Sequence, residues 1–381
     1  MSGIYIHIPF CEKKCNYCNF YSLASVKHKS EIVDAILTEL TQRKNYLPEK
    51  TIETIYLGGG TPSILNIMEL DAIINTIYKH YSISTSPEIT IEANPHHLSI
   101  NNLNDFKNLR INRLSIGIQS FNDEDLEFLA RNHTATQAEE AIKNAQHTGF
   151  KNLSIDLIYG IPTLSKTSWL YNLEKTFHFQ IPHISAYSLT VEEKTPLHVG
   201  IQKGKLKKLN EDEVLEQYET LLSEMKIKGY EHYEISNFAQ SGMYAKHNTA
   251  YWQGKPYLGI GPSAHSYDGN SRQWNIANLG QYINSTKKGG TSCEKEILTN
   301  ATRFNEYIMT SLRTQWGCSL THIQKNIGEG FAKKLLEQAQ PFVQSQNMII
   351  KNQHLILTEK GKLFADNISA SLFVDDPYII T

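Results

Sequence analysis

Six short runs of β-forming residues alternate with segments that have the period of an amphipathic helix, and this alternation limits the possible folds most strongly. The β-type runs are residues 4–8, 54–57, 88–92, 113–118, 153–158 and 183–189. Helical spacing is clearest in residues 32–40, 64–78, 138–145, 169–177 and 214–225. Such alternation predicts a parallel sheet with right-handed crossovers. Six units are too few for a closed eight-stranded barrel, so the pattern favours an open, partial (β/α)6 barrel of the α/β class.

Three cysteines follow the first predicted strand at the spacing Cys11-x3-Cys15-x2-Cys18. Three thiolates on one short loop can hold three irons of a cubane cluster and leave the fourth iron open to a small molecule. The alternative is a zinc knuckle, which usually needs a second pair of Cys or His ligands at short spacing, and no such pair follows nearby. The spacing therefore favours a [4Fe-4S] cluster.

The segment around the cysteines resembles the radical S-adenosylmethionine (SAM) superfamily. Within it, the chain is most similar to the oxygen-independent coproporphyrinogen III oxidases and their haem-chaperone relatives. The matching segments are YIHIPFCEKKCNYCNF at 5–20, GGGTPS at 58–63, GIQSF at 117–121, DLIYGIP at 156–162 and HNTAYW at 247–252. The resemblance covers nearly the whole chain. It implies a partial radical SAM barrel with a [4Fe-4S] cluster and SAM as cofactors.

Glycines and polar residues lie where the predicted strands end, which is where barrels of β/α units place their chemistry. Consecutive glycines allow the backbone to approach a ligand closely. A carboxylate such as Glu92 at the end of an apolar strand needs a partner or a ligand. Arg131 could pair with a carboxylate. Read alone, the tyrosines could be packed core aromatics and Arg131 a surface residue. The resemblance assigns SAM contacts to Tyr5, Tyr17, Gly59, Gly60, Thr61, Glu92, Gln119, Arg131, Asp156 and, at a loosely matching position, Thr190.

The HNTAYW segment at 247–252 is expected to lie outside the barrel core. A histidine flanked by Tyr and Trp suits an axial haem ligand with aromatic rings against the macrocycle. It is equally compatible with a hydrogen-bonded core histidine. The resemblance favours haem as a third cofactor with His247 as its ligand, because the haem-chaperone branch associates this motif with haem; His265 is a second candidate.

The pattern changes beyond about residue 230, and we expect three parts. Residues 1–230 form the radical SAM core, 231–295 a family-specific extension with the HNTAYW motif, and 296–381 a C-terminal α+β winged-helix-like domain of helix, helix, hairpin and helix. Residues 318–381 contain six Lys, no Arg and six acidic residues. A DNA-reading face should be basic, so a structural or partner-docking use is favoured.

Two functions from different classes fit these residues. One is a haem chaperone that keeps the radical SAM site and transfers haem to an acceptor protein. The alternative is an oxygen-independent coproporphyrinogen III oxidase; another radical transformation of a tetrapyrrole is a third possibility. Two departures from the oxidase pattern favour the chaperone: Phe20 stands where the oxidases continue with a further cysteine, and Cys11 leaves no room for their leader segment. No catalytic residue is assigned.

Charge and cysteine content suggest where such a protein works. The formal net charge is −2 without a basic block, so affinity for nucleic acid or anionic membrane is not implied. Five cysteines with no disulfide framework suit a reducing cytoplasm, and no eighteen apolar residues run together. We expect a cytoplasmic protein without a transmembrane segment. The resemblance adds an electron donor such as flavodoxin or ferredoxin, and a homodimer is one oligomeric state to test.

Overall fold

Six parallel strands form the middle of a large sheet in the computed structural model, which describes residues 2–49, 51–290 and 292–375. The strands of the described chain are β1 (Ser2–Ile8), β2 (Thr51–Gly59), β3 (Ser82–Ala93), β4 (Arg113–Gln119), β5 (Asn152–Tyr159), β6 (His183–Ser188), β7 (Glu231–Glu234), β8 (Asn237–Ala239), β9 (Tyr257–Ile260), β10 (His265–Tyr267), β11 (Ser271–Asn275), β12 (Cys293–Ile297), β13 (Cys318–Ser319), β14 (Met348–Lys351) and β15 (His354–Leu357). Strands β1 to β6 are neighbours in chain order and all pair in parallel. Each of the six predicted runs is therefore a strand of this sheet.

Helices connect these strands and cover the sheet. They are α1 (Lys29–Gln42), α2 (Ile67–His80), α3 (Ile100–Asn108), α4 (Asp123–Phe128), α5 (Ala135–His147), α6 (Lys166–His178), α7 (Pro196–Gln202), α8 (Glu211–Ile227), α9 (Lys246–Trp252), α10 (Leu279–Lys287), α11 (Asn300–Ser311), α12 (Leu320–Asn326), α13 (Glu329–Gln344), α14 (Glu359–Lys362) and α15 (Ala365–Ser371). Short 3₁₀ helices at Pro62–Ile64 and Pro95–His97 follow β2 and β3. None of the described helices has both the length and the apolar character needed to cross a membrane.

Local sequence explains why these elements form. Ile4, Ile6 and Ile8 of β1 lie on one face of the sheet and are fully buried, while Tyr5 and His7 on the other face are half-buried and buried, as expected for a strand covered on both sides. Helix α2 begins with a capping box, in which Asn66 and Glu69 each bond the backbone N–H of the other. Its buried face then repeats at Leu70, Ile73, Ile74 and Ile77, which is helical spacing.

The segment between the sixth strand and the C-terminal helices adds strands to both edges of the same sheet. Antiparallel β8 and β7 continue it beyond β6. Strand β9 pairs in parallel with β1, and β10, β11 and β12 extend that edge by antiparallel pairing. The resulting order is β12-β11-β10-β9-β1-β2-β3-β4-β5-β6-β8-β7. The residues expected to form a separate extension thus contribute six strands to the sheet, and the division at residue 230 stays a prediction.

The C-terminal part has a hydrophobic core of its own, formed by buried residues between Ala301 and Val374. It contains α11, α12 and α13 and a small sheet of order β13-β15-β14, so the expected helices and hairpin are present. The single last helix expected from the sequence is two short helices, α14 and α15. Residues 376–381 of the predicted domain lie outside the described residues.

Candidate cluster and cofactor site

The three cysteines lie on the loop between β1 and α1, at the carboxyl edge of the sheet, and each is partly exposed. The backbone N–H of Cys11 donates to Leu23 O at 3.0 Å, and that of Cys18 donates to Cys15 O at 3.4 Å. The other two cysteines lie elsewhere, one on β12 and one buried in the C-terminal core. A loop with three thiols and no fourth fits a cubane cluster with one open iron.

Two side chains from other loops contact these sulfurs. Thr61 Oγ1 lies 3.6 Å from Cys11 Sγ, and Arg131 Nη1 donates to Cys15 Sγ at 3.2 Å. Burial raises the pKa of the Cys11 and Cys18 thiols. Hydrogen bonds to sulfur are one means by which a protein tunes an iron–sulfur cluster, so the surroundings of the loop fit such a group.

Arg131 connects three loops at the carboxyl edge of the sheet. Besides Cys15, it donates through Nη2 to Asn94 Oδ1 and to Gly117 O, both at 2.9 Å. Its Nε is buried without a hydrogen-bond partner among the described residues. The alternative of a surface arginine is therefore wrong. Asn94, in the EANP segment after β3, was not singled out from the sequence, and its position at a strand end is the signal that could have identified it.

The glycine turn after β2 packs directly against β1. Gly59 has a φ of +108°, a conformation that favours glycine, and Gly60 N–H donates to Ile8 O at 2.8 Å. A Cβ at Gly60 would lie 2.5 Å from Phe10 O. Only a glycine lets the backbone pass this close, and the turn thereby places Thr61 beside the cysteine loop.

Glu92 ends β3 inside the barrel, where both carboxylate oxygens are hydrogen-bonded. Tyr56 OH donates to Oε1 at 2.8 Å, and Gly59 N–H donates to Oε2 at 3.0 Å. Burial raises the pKa of Glu92 to about 7 and that of Asp156, on β5, to about 6. Ser115 Oγ donates to Asp156 at 3.4 Å. Two acidic groups that titrate near neutrality would favour a cationic or multiply hydroxylated ligand next to them.

The remaining predicted SAM contacts are less closely connected. Gln119 ends β4 with a φ of +67° and is buried, and Tyr17 packs from the cysteine loop against the main core. Tyr5 OH is bonded to His7 Nδ1 at 3.1 Å. Thr190 is exposed, just beyond β6, and makes no hydrogen bond to the other predicted residues that the structure describes. Direct contacts thus join the cysteine loop, the glycine turn, Glu92 and Arg131.

Four side chains that the sequence alone did not identify anchor the cysteine loop from the solvent side. Glu12, next to Cys11, is hydrogen-bonded through its two oxygens to His96 Nε2 at 2.7 Å and His97 Nε2 at 2.9 Å. Asn132 Nδ2 donates to the same carboxylate at 2.9 Å. These contacts join the cluster loop to the 3₁₀ helix after β3 and to the segment before α5.

His247 packs against the sheet, so its expected position outside the barrel core is wrong. The ring is 2% exposed and stacks on Tyr56 with centroids 5.1 Å apart. Its Nδ1 is bonded to Thr54 Oγ1 and its Nε2 to Tyr251 OH, both at 2.8 Å. Burial lowers the pKa of His247 to about 3. His247 is thus a hydrogen-bonded core histidine in this structure, which is the second of the two interpretations of the motif. Haem ligation by His247 stays a prediction. The second candidate, on β10, is exposed and its ring faces Trp274.

Comparison with known proteins agrees with this geometry. The profile of the radical SAM superfamily matches residues 5–172. The heme chaperone HemW of Bacillus subtilis is 33% identical over 379 residues, covering 97% of this chain and 98% of that protein. Its counterpart from Lactococcus lactis is 30% identical over 377 residues, covering 98% of each. The structure of coproporphyrinogen III oxidase (HemN) from Escherichia coli superposes with a TM-score of 0.84 at 22% identity, covering 99% of this chain and 90% of that chain. The expected α/β radical SAM fold is therefore confirmed.

Proposed function

The chain belongs to the heme chaperone HemW family of the radical SAM superfamily, and on that premise we propose that it binds haem and transfers it to an acceptor protein. The observation that carries the proposal is full-length similarity, since named heme chaperones are 30–33% identical over 97–98% of the chain. The likeness to the oxidase HemN, at 22% identity, concerns the fold alone. It therefore supports the alternative oxidase function less.

Membership of the radical SAM superfamily implies a [4Fe-4S] cluster and SAM as cofactors. We assign the cluster to Cys11, Cys15 and Cys18, which share one loop; Thr61 and Arg131 of two other loops contact Cys11 and Cys15. When bound, the cluster supplies the electron that cleaves the sulfonium of SAM. The chain's own contribution is to position both groups at the carboxyl edge of the sheet.

The residues around the cysteine loop suit the amino-acid end of SAM. The backbone of Gly59, Gly60 and Thr61 passes beside the loop, and Glu92 offers a carboxylate that a nearby ammonium would hold in its ionised form. Deeper in the barrel, we assign to Asp156 of β5 the role of accepting hydrogen bonds from a ribose. Arg131 already contacts Cys15, so its predicted pairing with the SAM carboxylate would require it to share its donors.

Reconstituted protein tests both candidate functions in one set of anaerobic assays. We expect the wild type to bind ferric haem and to release it to apomyoglobin, and to form no protoporphyrinogen from coproporphyrinogen III with SAM and a reductant. Decarboxylation over many turnovers, with matching 5′-deoxyadenosine, would identify an oxidase instead. Cys15→Ala should lose the cluster, and a retained cluster spectrum in that variant would contradict the ligand assignment. Cys293→Ala, outside the loop, is the matched control.

The partners remain proposals of the same kind. An electron donor such as flavodoxin or ferredoxin would approach the edge of the sheet that carries the cysteine loop. The haem acceptor is a prediction from the resemblance, the cytoplasmic location is a prediction from the cysteine content, and a homodimer is an oligomeric state to test. Sedimentation of the protein with and without its cluster would measure the oligomeric state.

A further inference from the structure

A cavity of about 450 Å³ lies between the barrel edge and the C-terminal helices. Helix α9 and strands β9 to β11 form one wall, and α11 and α12 form the other. Its volume is typical of sites for small molecules and cofactors, which range from roughly 300 to 1,000 Å³. The cavity is separate from the cysteine loop, because its walls come from strands beyond β1 and from the C-terminal domain.

The walls of this cavity are unusually aromatic and carry two arginines. Tyr251 and Trp252 of the HNTAYW motif face it, together with Tyr257, Tyr267 and Tyr307. Arg272 is paired with Glu306. The guanidinium of Arg303, in contrast, makes no hydrogen bond or ion pair with any residue that the structure describes. Aromatic walls next to an unpaired arginine suit a flat, largely apolar ligand that carries a carboxylate.

His322 is the side chain in this cavity that is best suited to bind a metal ion. Its ring stacks on Tyr307 with centroids 4.4 Å apart, which fixes its orientation. The amide of Asn326 lies 3.1 Å from Nδ1, whereas Nε2 has no hydrogen-bond partner among the described residues. With a metal on Nε2, rotation of that amide would let its oxygen accept from Nδ1–H, as second-shell partners of metal-bound histidines do.

Ligand chemistry also favours His322 over the tyrosines of the wall. A neutral imidazole binds iron directly, whereas a tyrosine must first lose its phenolic proton.

The motif histidine contributes to the cavity indirectly. His247 Nε2 is bonded to Tyr251 OH, and Tyr251 is part of the cavity wall. Its other ring nitrogen is bonded to Thr54 of β2. His247 is therefore a positioning residue, which fixes one aromatic wall to the sheet.

We propose that this cavity is the haem site, with His322 Nε2 as an axial ligand of the iron and Arg303 as the partner of a propionate. This inference rests on the proposed haem-binding function and specifies where in the molecule haem would bind. It differs from the expectation that His247 is the ligand, and the two assignments predict different spectra for single substitutions.

Titration of full-length, cluster-loaded protein with ferric haem tests the proposal, with haem-free protein as the spectral reference. His322→Ala should lose the imidazole-ligated spectrum and bind haem at least about tenfold more weakly. Added imidazole should restore that spectrum by occupying the vacated position. His354→Ala on β15, whose ring bonds the backbone of Asn352 outside the cavity, should behave as the wild type.

Two further variants separate the roles of ligand, anion partner and wall. Arg303→Ala should weaken binding roughly tenfold without changing the axial spectrum, because only a propionate contact is lost. His247→Ala and the milder Tyr251→Phe should weaken binding while the imidazole-ligated spectrum persists. Tyr251→Phe keeps the wall ring and removes the bond to His247, so it remains informative if His247→Ala does not fold.

The outcomes distinguish this proposal from the function on which it rests. If the wild type binds no haem, the proposed function fails. If the wild type binds haem and His322→Ala retains the same spectrum and affinity, the cavity assignment fails and the function stands. Loss of the imidazole-ligated spectrum in His247→Ala alone would make His247 the ligand and would overturn the assignment to His322.

Discussion

Arg131 donates from Nη1 to the sulfur of Cys15 at 3.2 Å, so the segment before α5 contacts the cysteine loop directly. The same guanidinium is bonded to Asn94 and Gly117, at the ends of β3 and β4. The geometry of the cluster loop therefore depends on strands that are distant from it in the chain.

Arg131→Met should lower both stability and cluster content. Asn94 and Gly117 would lose their donor, which we expect to cost about 1–3 kcal/mol in the unfolding free energy of the cluster-free protein. Urea denaturation and iron analysis after reconstitution would measure the two effects. Arg131→Lys keeps the charge but not the forked geometry of the guanidinium, so its stability and iron content should lie between those of the wild type and Arg131→Met. Wild-type iron content and stability in Arg131→Met would show that these contacts are dispensable.

Gly60→Ala should disrupt the turn that connects β2 to the cysteine loop. The new Cβ would lie 2.5 Å from Phe10 O, so the backbone must shift, at a cost of about 1–3 kcal/mol. We also expect weaker SAM binding, measured by equilibrium dialysis with the reconstituted protein. Gly280→Ala in α10 is the matched control, because its Cβ would meet only Asn278 Oδ1 at 3.7 Å. Equal effects of the two substitutions would contradict the steric explanation.

Glu92→Gln should change how stability depends on pH. Because the folded-state pKa of Glu92 is about 7, against a usual 4.5, the native protein holds a proton that the unfolded chain has released. Between these two values the stability of the wild type falls as pH rises, and this loss is up to about 3 kcal/mol from one such group. Between about pH 5 and about pH 8, cluster-free Glu92→Gln should therefore lose less unfolding free energy than the cluster-free wild type.

Urea denaturation at both pH values would measure the difference between wild type and Glu92→Gln. Glu140→Gln, on the exposed face of α5, is the control for loss of a carboxylate. Identical pH dependence in all three proteins would show that Glu92 is ionised in the folded state at pH 5.

Arg313→Ala should loosen the contact between the C-terminal helices and β7. Arg313 Nε lies 3.3 Å from Glu234 Oε1, and the side chain of Glu234 is 1% exposed. Removing the arginine would leave that buried carboxylate without its cation, which we expect to lower the unfolding free energy by about 3 kcal/mol. Limited proteolysis and urea denaturation would detect the change. Asp366→Asn breaks a pair with the same arginine at an 85% exposed side chain, so we expect about 0.5 kcal/mol or less. An equal loss in both variants would mean that burial of Glu234 is irrelevant.

The parallel core could be predicted from the sequence because its signal is local. Strands such as Asn152–Tyr159 are long enough to carry several apolar residues, here Leu153, Ile155, Leu157 and Ile158, between helical segments. The edge strands carry no such signal. Strand β9 has four residues, and its register depends on pairing with β1, which lies far away in the chain. Short strands that are defined by distant partners escape sequence periodicity.

The same distinction applies to the site. The cysteine spacing and the strand-end Glu92 were recognisable because their chemistry lies in adjacent residues. The contacts of Glu12 with His96 and His97 depend on two loops that meet at the sheet edge. The partner of His247, Thr54, is 193 residues away, so the motif alone did not reveal that its histidine is buried.

The pairing of β1 with β9 has a consequence for biosynthesis. Ser2–Ile8 is translated before the other described strands. Tyr257–Ile260 is translated only after the other five strands of the parallel core. Until then, one side of β1 is an open, isoleucine-rich edge, which in a nascent polypeptide invites pairing with other chains. Premature termination anywhere before β9 would make that exposure permanent. Incomplete translation products of this protein should therefore aggregate rather than persist as stable fragments.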